Sequence, residues 1–172
     1  MHEHFLIDML NFSSENKETK QAIIHWFWGN VERRRRILFK HYFIHFPFST
    51  LDEFALLNLI SIKSRITLTQ ASMYLFQKRS TTSEMFKRFC AKGITIMEFD
   101  EIDRRIKFYS LSIEGVKIVH DANLKMKEMN AFLFEHLQDD NLFLGELRGI
   151  YEKLNEQFHK QSNFVNIQDL TE

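Results

Sequence analysis

The stretch TLTQASMYLFQKRSTTSEMFKRFCAKG, residues 67–93, decides the fold. Its first half predicts a short helix, because Thr67 and Gln70 have the spacing of a capping box. Thr81 and Glu84 repeat that spacing and predict the start of a second helix. The segment QKRS between the two helices is interpreted as a four-residue turn. A helix, a short turn and a second helix form the layout of a helix-turn-helix unit.

The second helix, residues 82–92, has two different faces when its residues are placed at the angular spacing of an α-helix, and Gly93 is placed to end it. The predicted core face carries Thr82, Met85, Phe86 and Phe89, with Cys90 at its edge. The opposite face carries Ser80, Ser83, Glu84, Lys87, Arg88 and Ala91. This polar face suits the major groove of DNA, where Lys87 and Arg88 could reach phosphates or guanine edges. Glu84 could accept a hydrogen bond from cytosine, but the cap is its favoured role.

Two predicted strands, ITIMEF and KFYSLSI, follow the second helix. In the second strand, Tyr109, Leu111 and Ile113 alternate with serines, which is the period of a half-buried strand. The residues DEIDRR join the strands, so the hairpin has a highly charged tip. A hairpin directly after a helix-turn-helix unit is a wing. Its tip can reach the minor groove, where negative potential favours arginine.

The charged residues of the wing are expected to have separate tasks. The cations are Arg104, Arg105 and Lys107. Asp103 is expected to bond back to an arginine and to hold it in one pose. Asp100 and Glu101 would repel phosphate, so we expect them to face away from DNA.

Helical segments are also predicted on both sides of this unit. A long amphipathic helix is expected over residues 20–46, with Pro47 as its stop, after a polar N-terminal arm. Thr50 and Glu53 form a further capping box for the helix that follows. Beyond the wing, Ser112 can cap a long helix, and Asp140 or Asn141 begins a last one. The segments over residues 113–137 and 141–159 are amphipathic.

Residues 50–118 resemble the winged-helix core of the MarR family of bacterial transcription regulators. The resemblance lies in the helix LTQASMYLF, in KRFCAKG at the end of the second helix, and in the wing DEIDRRIKFYSLSIEG. Its most specific part is Asp103-Arg104-Arg105 followed by Leu111-Ser112-x-x-Gly115. The chain departs from the family pattern at Ser72, where a small apolar residue is common, and at Ser112, which replaces the usual threonine.

The resemblance implies a mainly α fold with a small β-hairpin wing, a winged helix-turn-helix whose long N- and C-terminal helices form a dimerisation region. It also implies an obligate homodimer, and a wing in which Arg105 enters the minor groove while Asp103 steadies it. The expected organisation is an N-terminal arm and dimerisation helix (1–48), a winged-helix DNA-binding domain (49–118), C-terminal dimerisation helices (119–160) and a flexible tail (161–172).

The expected function is sequence-specific binding of double-stranded DNA by a homodimer that acts as a transcriptional repressor. Its operator should be pseudo-palindromic, with half-sites about one helical turn apart. The expected DNA-binding residues are Arg79, Ser80, Thr81, Ser83, Lys87, Arg88, Asp103, Arg104, Arg105 and Lys107. No cofactor is expected, and a small-molecule effector stays open. The alternative is a winged-helix dimer that serves as a protein-interaction or scaffold module, because Glu84, Asp100 and Glu101 could weaken DNA contact.

Composition argues against several other classes of protein. Of the 172 residues, 44% are hydrophobic, which is enough for one packed domain. Basic and acidic residues number 23 each, so an anionic partner must be bound by a local patch. The single cysteine, Cys90, fits a reducing cytoplasm. Neither a signal peptide nor a membrane span is expected. The absence of GxSxG, HExxH and glycine-rich phosphate motifs argues against an enzyme.

Four clusters have both a structural and a functional interpretation. His41 and His45 have a spacing that suits metal ligands, but packing among aromatic residues is favoured. The run Arg33–Arg36 is interpreted as solvated charge that pairs with acidic residues of the last helices, rather than as a phosphate contact. Cys90 is interpreted as a packing residue rather than a redox sensor. Packing, rather than an aromatic effector pocket, is also favoured for Trp26, Trp28, Tyr42 and Phe46.

Overall fold

The structure is a computed structural model that describes residues 17–135 and 140–161. This part of the chain forms six helices and three strands. In chain order they are α1 (Lys17–Tyr42), α2 (Leu51–Lys63), β1 (Ile66–Thr67), α3 (Leu68–Tyr74), α4 (Arg79–Ala91), β2 (Thr95–Phe99), β3 (Lys107–Leu111), α5 (Ile113–Phe134) and α6 (Asp140–Gln161). The predicted mainly helical winged helix-turn-helix is confirmed. The MHEH segment, the predicted arm before Lys17 and the predicted tail after Gln161 lie outside the described residues. The proposed domain boundaries stay a prediction.

Three of the four predicted helix caps are present. The backbone amide of Glu53 donates to Thr50 Oγ1 at 3.2 Å, and the Glu53 carboxylate accepts from the Thr50 amide. Thr67 and Gln70 form the same reciprocal pair at the start of α3. Ser112 Oγ accepts from the backbone amide at position 115 at 2.9 Å, at the start of α5. These local hydrogen bonds satisfy amides that have no partner within the helix.

The predicted capping box of Thr81 and Glu84 is wrong. Helix α4 begins two residues earlier than Thr81, and its N-cap, Lys78, makes no side-chain cap. The backbone amide of Thr82 already bonds to the Lys78 carbonyl at 3.1 Å, so Thr81 lies inside the first turn. Glu84 is therefore an exposed residue of the helix rather than part of a cap.

Three antiparallel strands form the sheet, in the order β1-β3-β2. The predicted wing hairpin pairs from Thr95 opposite Leu111 to Phe99 opposite Lys107. Strand β1 was not predicted, because two residues are too short to show a period. The predicted second strand was also too long: Ile113 belongs to α5 and is 82% exposed.

The hydrophobic core lies between the second half of α1, the winged-helix elements and α5. Aromatic rings dominate its α1 side, where Phe39 and Phe43 stack with centroids 4.3 Å apart. Helix α1 ends at Tyr42 instead of continuing to Pro47, and the connection to α2 places Phe48 in the same core. The remaining buried core residues are Phe54, Leu56, Leu57, Ile60, Ile66, Ala71, Met85, Phe86, Phe89, Ile94, Val119, Ala122 and Met129. Within the described residues, no helix is both long and apolar enough to cross a membrane.

Candidate nucleic-acid interface

Helix α4 has the two faces that its sequence predicts. Thr82, Met85, Phe86 and Phe89 are buried, and Cys90 lies half-buried at the edge of this face. The Cys90 Sγ is 3.3 Å from Thr95 Oγ1, which is consistent with a packing role. Arg79, Ser80, Thr81, Glu84 and Lys87 are exposed on the other side, and Ser83 is half-buried. The folded chain therefore presents a polar helix face that its own core does not use.

Contacts with the sheet hold the buried face of α4 in place. Phe86 stacks on Tyr109 of β3 with ring centroids 3.8 Å apart. Burial raises the pKa of the Tyr109 hydroxyl, and the nearby Cys90 thiol raises it further. At the end of the helix, Gly93 has a φ of 68°, as predicted, and the Ile94 amide bonds to the Phe89 carbonyl. These contacts connect the position of α4 to that of the wing.

Two cations at the end of α4 contact the start of α2 and the connection that precedes it. Arg88 Nη2 lies 2.6 Å from Glu53 Oε1, and the Glu53 residue is only 5% exposed. Lys92 Nζ donates to the Pro47 carbonyl oxygen at 2.6 Å. Arg88, predicted as a DNA contact, is thus already paired with a carboxylate of its own subunit. Lys87 stays exposed, and no ion pair of Lys87 is seen within the described residues.

Hydrogen bonds within the loop fold the wing tip into a compact turn. The Asp100 carboxylate accepts from the backbone amides of Asp103 and Ile102, at 2.9 and 3.0 Å. These two bonds, the Asp103 amide first, hold the pKa of Asp100 below its usual value, with a smaller contribution from the Arg65 charge. Asp100 is therefore directed into the turn, whereas Glu101 is exposed, and the expectation that both face away from DNA stays a prediction. The turn closes with a bond from the Ile106 amide to the Asp103 carbonyl.

Asp103 bonds back to an arginine, as predicted, but to its backbone. Its Oδ1 accepts from the Arg105 backbone amide at 3.0 Å. This bond fixes the main chain of Arg105 and leaves the guanidinium free to point outward. Arg104, Arg105 and Lys107 are all exposed. The Lys107 ammonium lies 5.5 Å from the centre of the Phe99 ring.

Arg65 is a wing contact that the sequence interpretation missed. Its guanidinium lies 3.6 Å above the centre of the Phe108 ring and 3.9 Å from a carboxylate oxygen of Asp100. Arg65 directly precedes β1, which brings it beside β3 and hence beside the base of the wing tip. Only recognition of β1 could have located it, and that strand has no recognisable sequence signal.

The histidine, arginine and aromatic clusters that the sequence singled out lie mostly at the surface of the subunit. His41 and His45 are exposed, and the described residues contain no group of three or more potential metal ligands. Arg33–Arg36 are exposed, and Arg36 pairs with Glu32 of the same helix, whereas the predicted pairing with the last helices is not seen among the described residues. Of the four aromatic residues considered as pocket lining, Tyr42 and Phe46 pack against the core, whereas Trp26 and Trp28 are partly exposed.

No protein-family model matches the sequence, and no curated protein is similar to it in sequence. Solved structures do match the fold. AbsC, a MarR family transcriptional regulator from Streptomyces coelicolor, has 18% sequence identity and a TM-score of 0.72, with 85% of this chain and 97% of AbsC covered. The transcriptional regulator BldR from Sulfolobus solfataricus has 16% identity and a TM-score of 0.67, with coverage of 80% and 99%.

A third similar structure was determined with a ligand of direct interest. It is a mutant MarR from E. coli complexed with operator DNA, with 17% identity, a TM-score of 0.66, and coverage of 81% of this chain and 99% of that one. These matches extend over nearly the whole length of each regulator, so the long helices are included as well as the winged helix. The chain therefore has the winged-helix fold of the MarR-type transcriptional regulators, as its sequence motifs predicted.

Proposed function

We propose that the protein is a homodimeric, cytoplasmic transcription regulator, a repressor, that binds a pseudo-palindromic DNA site. Each subunit places α4 in a major groove and the wing tip in the adjacent minor groove. The observation that carries this proposal is the division of α4 into a buried apolar face and an exposed polar face that ends in Lys87. The operator complex of the similar MarR structure supports it.

The wing supplies a second contact surface. Arg104 and Arg105 are exposed at the tip, and backbone amides of the loop hold the Asp100 carboxylate in the turn. A narrow minor groove concentrates negative potential and attracts arginine. Four further predicted contacts, Arg79, Ser80, Thr81 and Ser83, lie in the first turns of α4, where they could approach bases or phosphates.

Dimerisation is supported by apolar surface that a single chain leaves uncovered. On α1, Ile24, Trp28 and Val31 are 64%, 50% and 58% exposed. On α6, Leu144, Tyr151 and Leu154 are 59%, 58% and 53% exposed. Several such residues on two long helices are typical of a subunit interface. Sedimentation velocity should give a dimer, and a stable monomer at micromolar concentration would contradict this part of the proposal.

Selection of bound sequences from a random duplex pool tests specific DNA binding. We expect a pseudo-palindrome with half-sites about one helical turn apart. The affinity for the selected duplex should fall steeply as salt concentration rises, because cationic side chains displace condensed counterions. A scaffold module would enrich no sequence and show no salt-dependent binding.

Replacement of one wing residue tests the docking mode. Arg105→Ala should weaken binding to the selected duplex by about 1–3 kcal/mol if the guanidinium enters the minor groove. Arg148→Ala on α6 removes an exposed arginine that is not among the predicted DNA contacts and serves as the control, provided that the variant still sediments as the wild type does. Equal affinity of wild type and Arg105→Ala, measured by fluorescence anisotropy, would remove the wing from the interface.

A further inference from the structure

The C-terminal end of α4 is connected to a distant part of the same subunit by two charged side chains. Arg88 pairs with Glu53 at 2.6 Å, and Lys92 contacts the Pro47 carbonyl, 45 residues away in sequence, at 2.6 Å. Pro47 lies in the connection between α1 and α2, and Glu53 lies in the first turn of α2. The end of the proposed reading helix is therefore joined to the segment that follows the long N-terminal helix.

Glu53 uses both carboxylate oxygens and is almost completely buried. Its Oε2 accepts from the backbone amides of Ser49 and Thr50 at 2.7 and 3.2 Å. Its Oε1 faces Arg88, and the Glu53 side chain is 7% exposed. A buried carboxylate needs both hydrogen bonds and a countercharge, since desolvation of an unpaired charge is costly. Arg88 is the cation paired with this carboxylate within the described residues.

The two neighbouring cations of α4 therefore differ. Both side chains are exposed, that of Arg88 by 57%, but only the guanidinium of Arg88 is paired with a carboxylate among the described residues. Because Glu53 neutralises Arg88 locally, little of its charge is available to a phosphate. A planar guanidinium binds a carboxylate in a better-defined orientation than an ammonium does. Arginine therefore suits a residue that sets the orientation of a helix.

We infer that Arg88 is a positioning residue, which with Glu53 sets the angle at which α4 enters the groove and does not itself contact DNA. The inference rests on the proposed function. It also identifies Glu53, a residue on another helix, as a determinant of specific binding. The capping role of Glu53 and its pairing role act through different oxygens of one carboxylate.

A variant that removes one negative charge distinguishes a positioning role from long-range electrostatics, because the two predict opposite changes in DNA affinity. Glu53→Gln removes a negative charge, so electrostatics alone would strengthen DNA binding. Loss of positioning should instead weaken binding to the selected duplex, on the order of ten-fold, with little change for random duplex. Asp52→Asn is the matched control, because it makes the same charge change at the exposed neighbouring position. Tighter binding by both variants would overturn the inference.

The salt dependence of binding separates positioning from phosphate contact. Lys87→Gln should reduce the slope of log affinity against log salt by about 1, as expected for a lost phosphate contact. Arg88→Gln should weaken specific binding to a similar extent as Glu53→Gln while keeping the wild-type slope. The double variant should bind no more weakly than either single variant. A slope reduced by about 1 in Arg88→Gln would show that this arginine contacts DNA.

Thermal unfolding without DNA gives a readout that is independent of the proposed function. If the ion pair couples the two helices, the destabilisations caused by Glu53→Gln and Arg88→Gln should be far from additive in the double variant. Additive effects would show that the pair does not act as a unit and would overturn the inference. If the wild type selects no duplex, the proposed function fails and the positioning role fails with it, whereas the unfolding cycle still reports the contact itself.

Discussion

The two halves of α1 share a pattern of apolar residues, but these residues have different surroundings. Both carry large apolar residues at helical spacing. In the C-terminal half and directly after it, Phe39 and Phe43 are each 1% exposed and contact Phe48 and Phe54. In the N-terminal half, Ile24 is 64% and Trp28 50% exposed. An apolar stripe therefore identifies a surface to be covered, but it does not say whether the same subunit covers it.

The largest expected effect concerns the buried aromatic cluster at the C-terminal end of α1. Phe43→Ala should lower the free energy of unfolding by about 3–5 kcal/mol, because it removes a buried ring and leaves a cavity among the neighbouring phenyl groups. Urea denaturation followed by circular dichroism measures this loss. A change in the free energy of unfolding below about 1 kcal/mol would mean that the neighbouring rings fill the cavity. Burial would then not distinguish the two halves energetically.

Substitutions in the exposed N-terminal half of α1 should affect dimerisation rather than folding. Trp28→Ala should weaken the dimer by roughly 2 kcal/mol, because a large aromatic residue in an interface commonly dominates its energy. Sedimentation equilibrium gives the dissociation constant. Ile62→Ala, at a 77% exposed apolar position on α2, is the control and should leave association unchanged. An unchanged dimer in Trp28→Ala would place the interface elsewhere.

A close backbone approach tests how rigid the winged-helix region is. A Cβ at Gly115 would lie 2.1 Å from the backbone oxygen of Ile94, which also accepts from the Ser112 amide. Gly115→Ala should therefore destabilise the subunit by about 1–3 kcal/mol, as overpacking does elsewhere. Gly145→Ala, where a Cβ meets nothing within 4 Å, is the control. Equal thermal midpoints for wild type and Gly115→Ala would show that the wing base shifts without cost.

Two of the three threonines predicted as caps, Thr67 and Thr81, should behave differently. Thr67→Ala should cost about 1 kcal/mol, because its hydroxyl accepts from the Gln70 amide at the start of α3. Thr81→Ala should change stability by less than about 0.5 kcal/mol, because Thr81 is an exposed residue inside α4. Chemical denaturation of both variants checks the pair, and equal losses would contradict the observed start of α4.

The smallest effect concerns the wing tip at low pH. The backbone amides of Asp103 and Ile102 hold the pKa of Asp100 below its usual value, so the carboxylate favours its charged form in the folded tip. The stabilisation it provides is present above the unfolded-state pKa and is lost as pH falls through the lower folded-state value. Carbon NMR titration should find the Asp100 carboxyl below the ordinary aspartate pKa of about 3.9. A normal or raised value would mean that the turn is not formed in solution.

Local sequence patterns were sufficient to predict most of the winged helix. Thr50, Thr67 and Ser112 cap the helices they were predicted to cap, since these bonds form within four residues. The buried face of α4 follows directly from helical periodicity. The hairpin and the exposed cations of its tip follow from strand alternation and charge placement. The assignment of these cations to DNA stays a prediction.

Contacts between distant segments explain what the sequence interpretation missed. Arg88 and Lys87 are adjacent basic residues on a polar face, and nothing local shows that Arg88 meets a carboxylate 35 positions earlier. Arg65 became visible as a wing contact only when β1 paired with β3. The start of α4 was misplaced because Thr81 and Glu84 match the capping pattern, while the folded chain begins the helix at a residue without a side-chain cap.

The sequence by itself determined the succession of helices and strands, three of their caps, the apolar face of α4 and the charged wing, because each depends on residues within one or two turns of one another. The tertiary structure alone decided which charges stay free and which are used inside the subunit, and which half of α1 is covered. The physical reason is that ion pairing and burial depend on distances between segments far apart in the chain, and local periodicity carries no information about those distances.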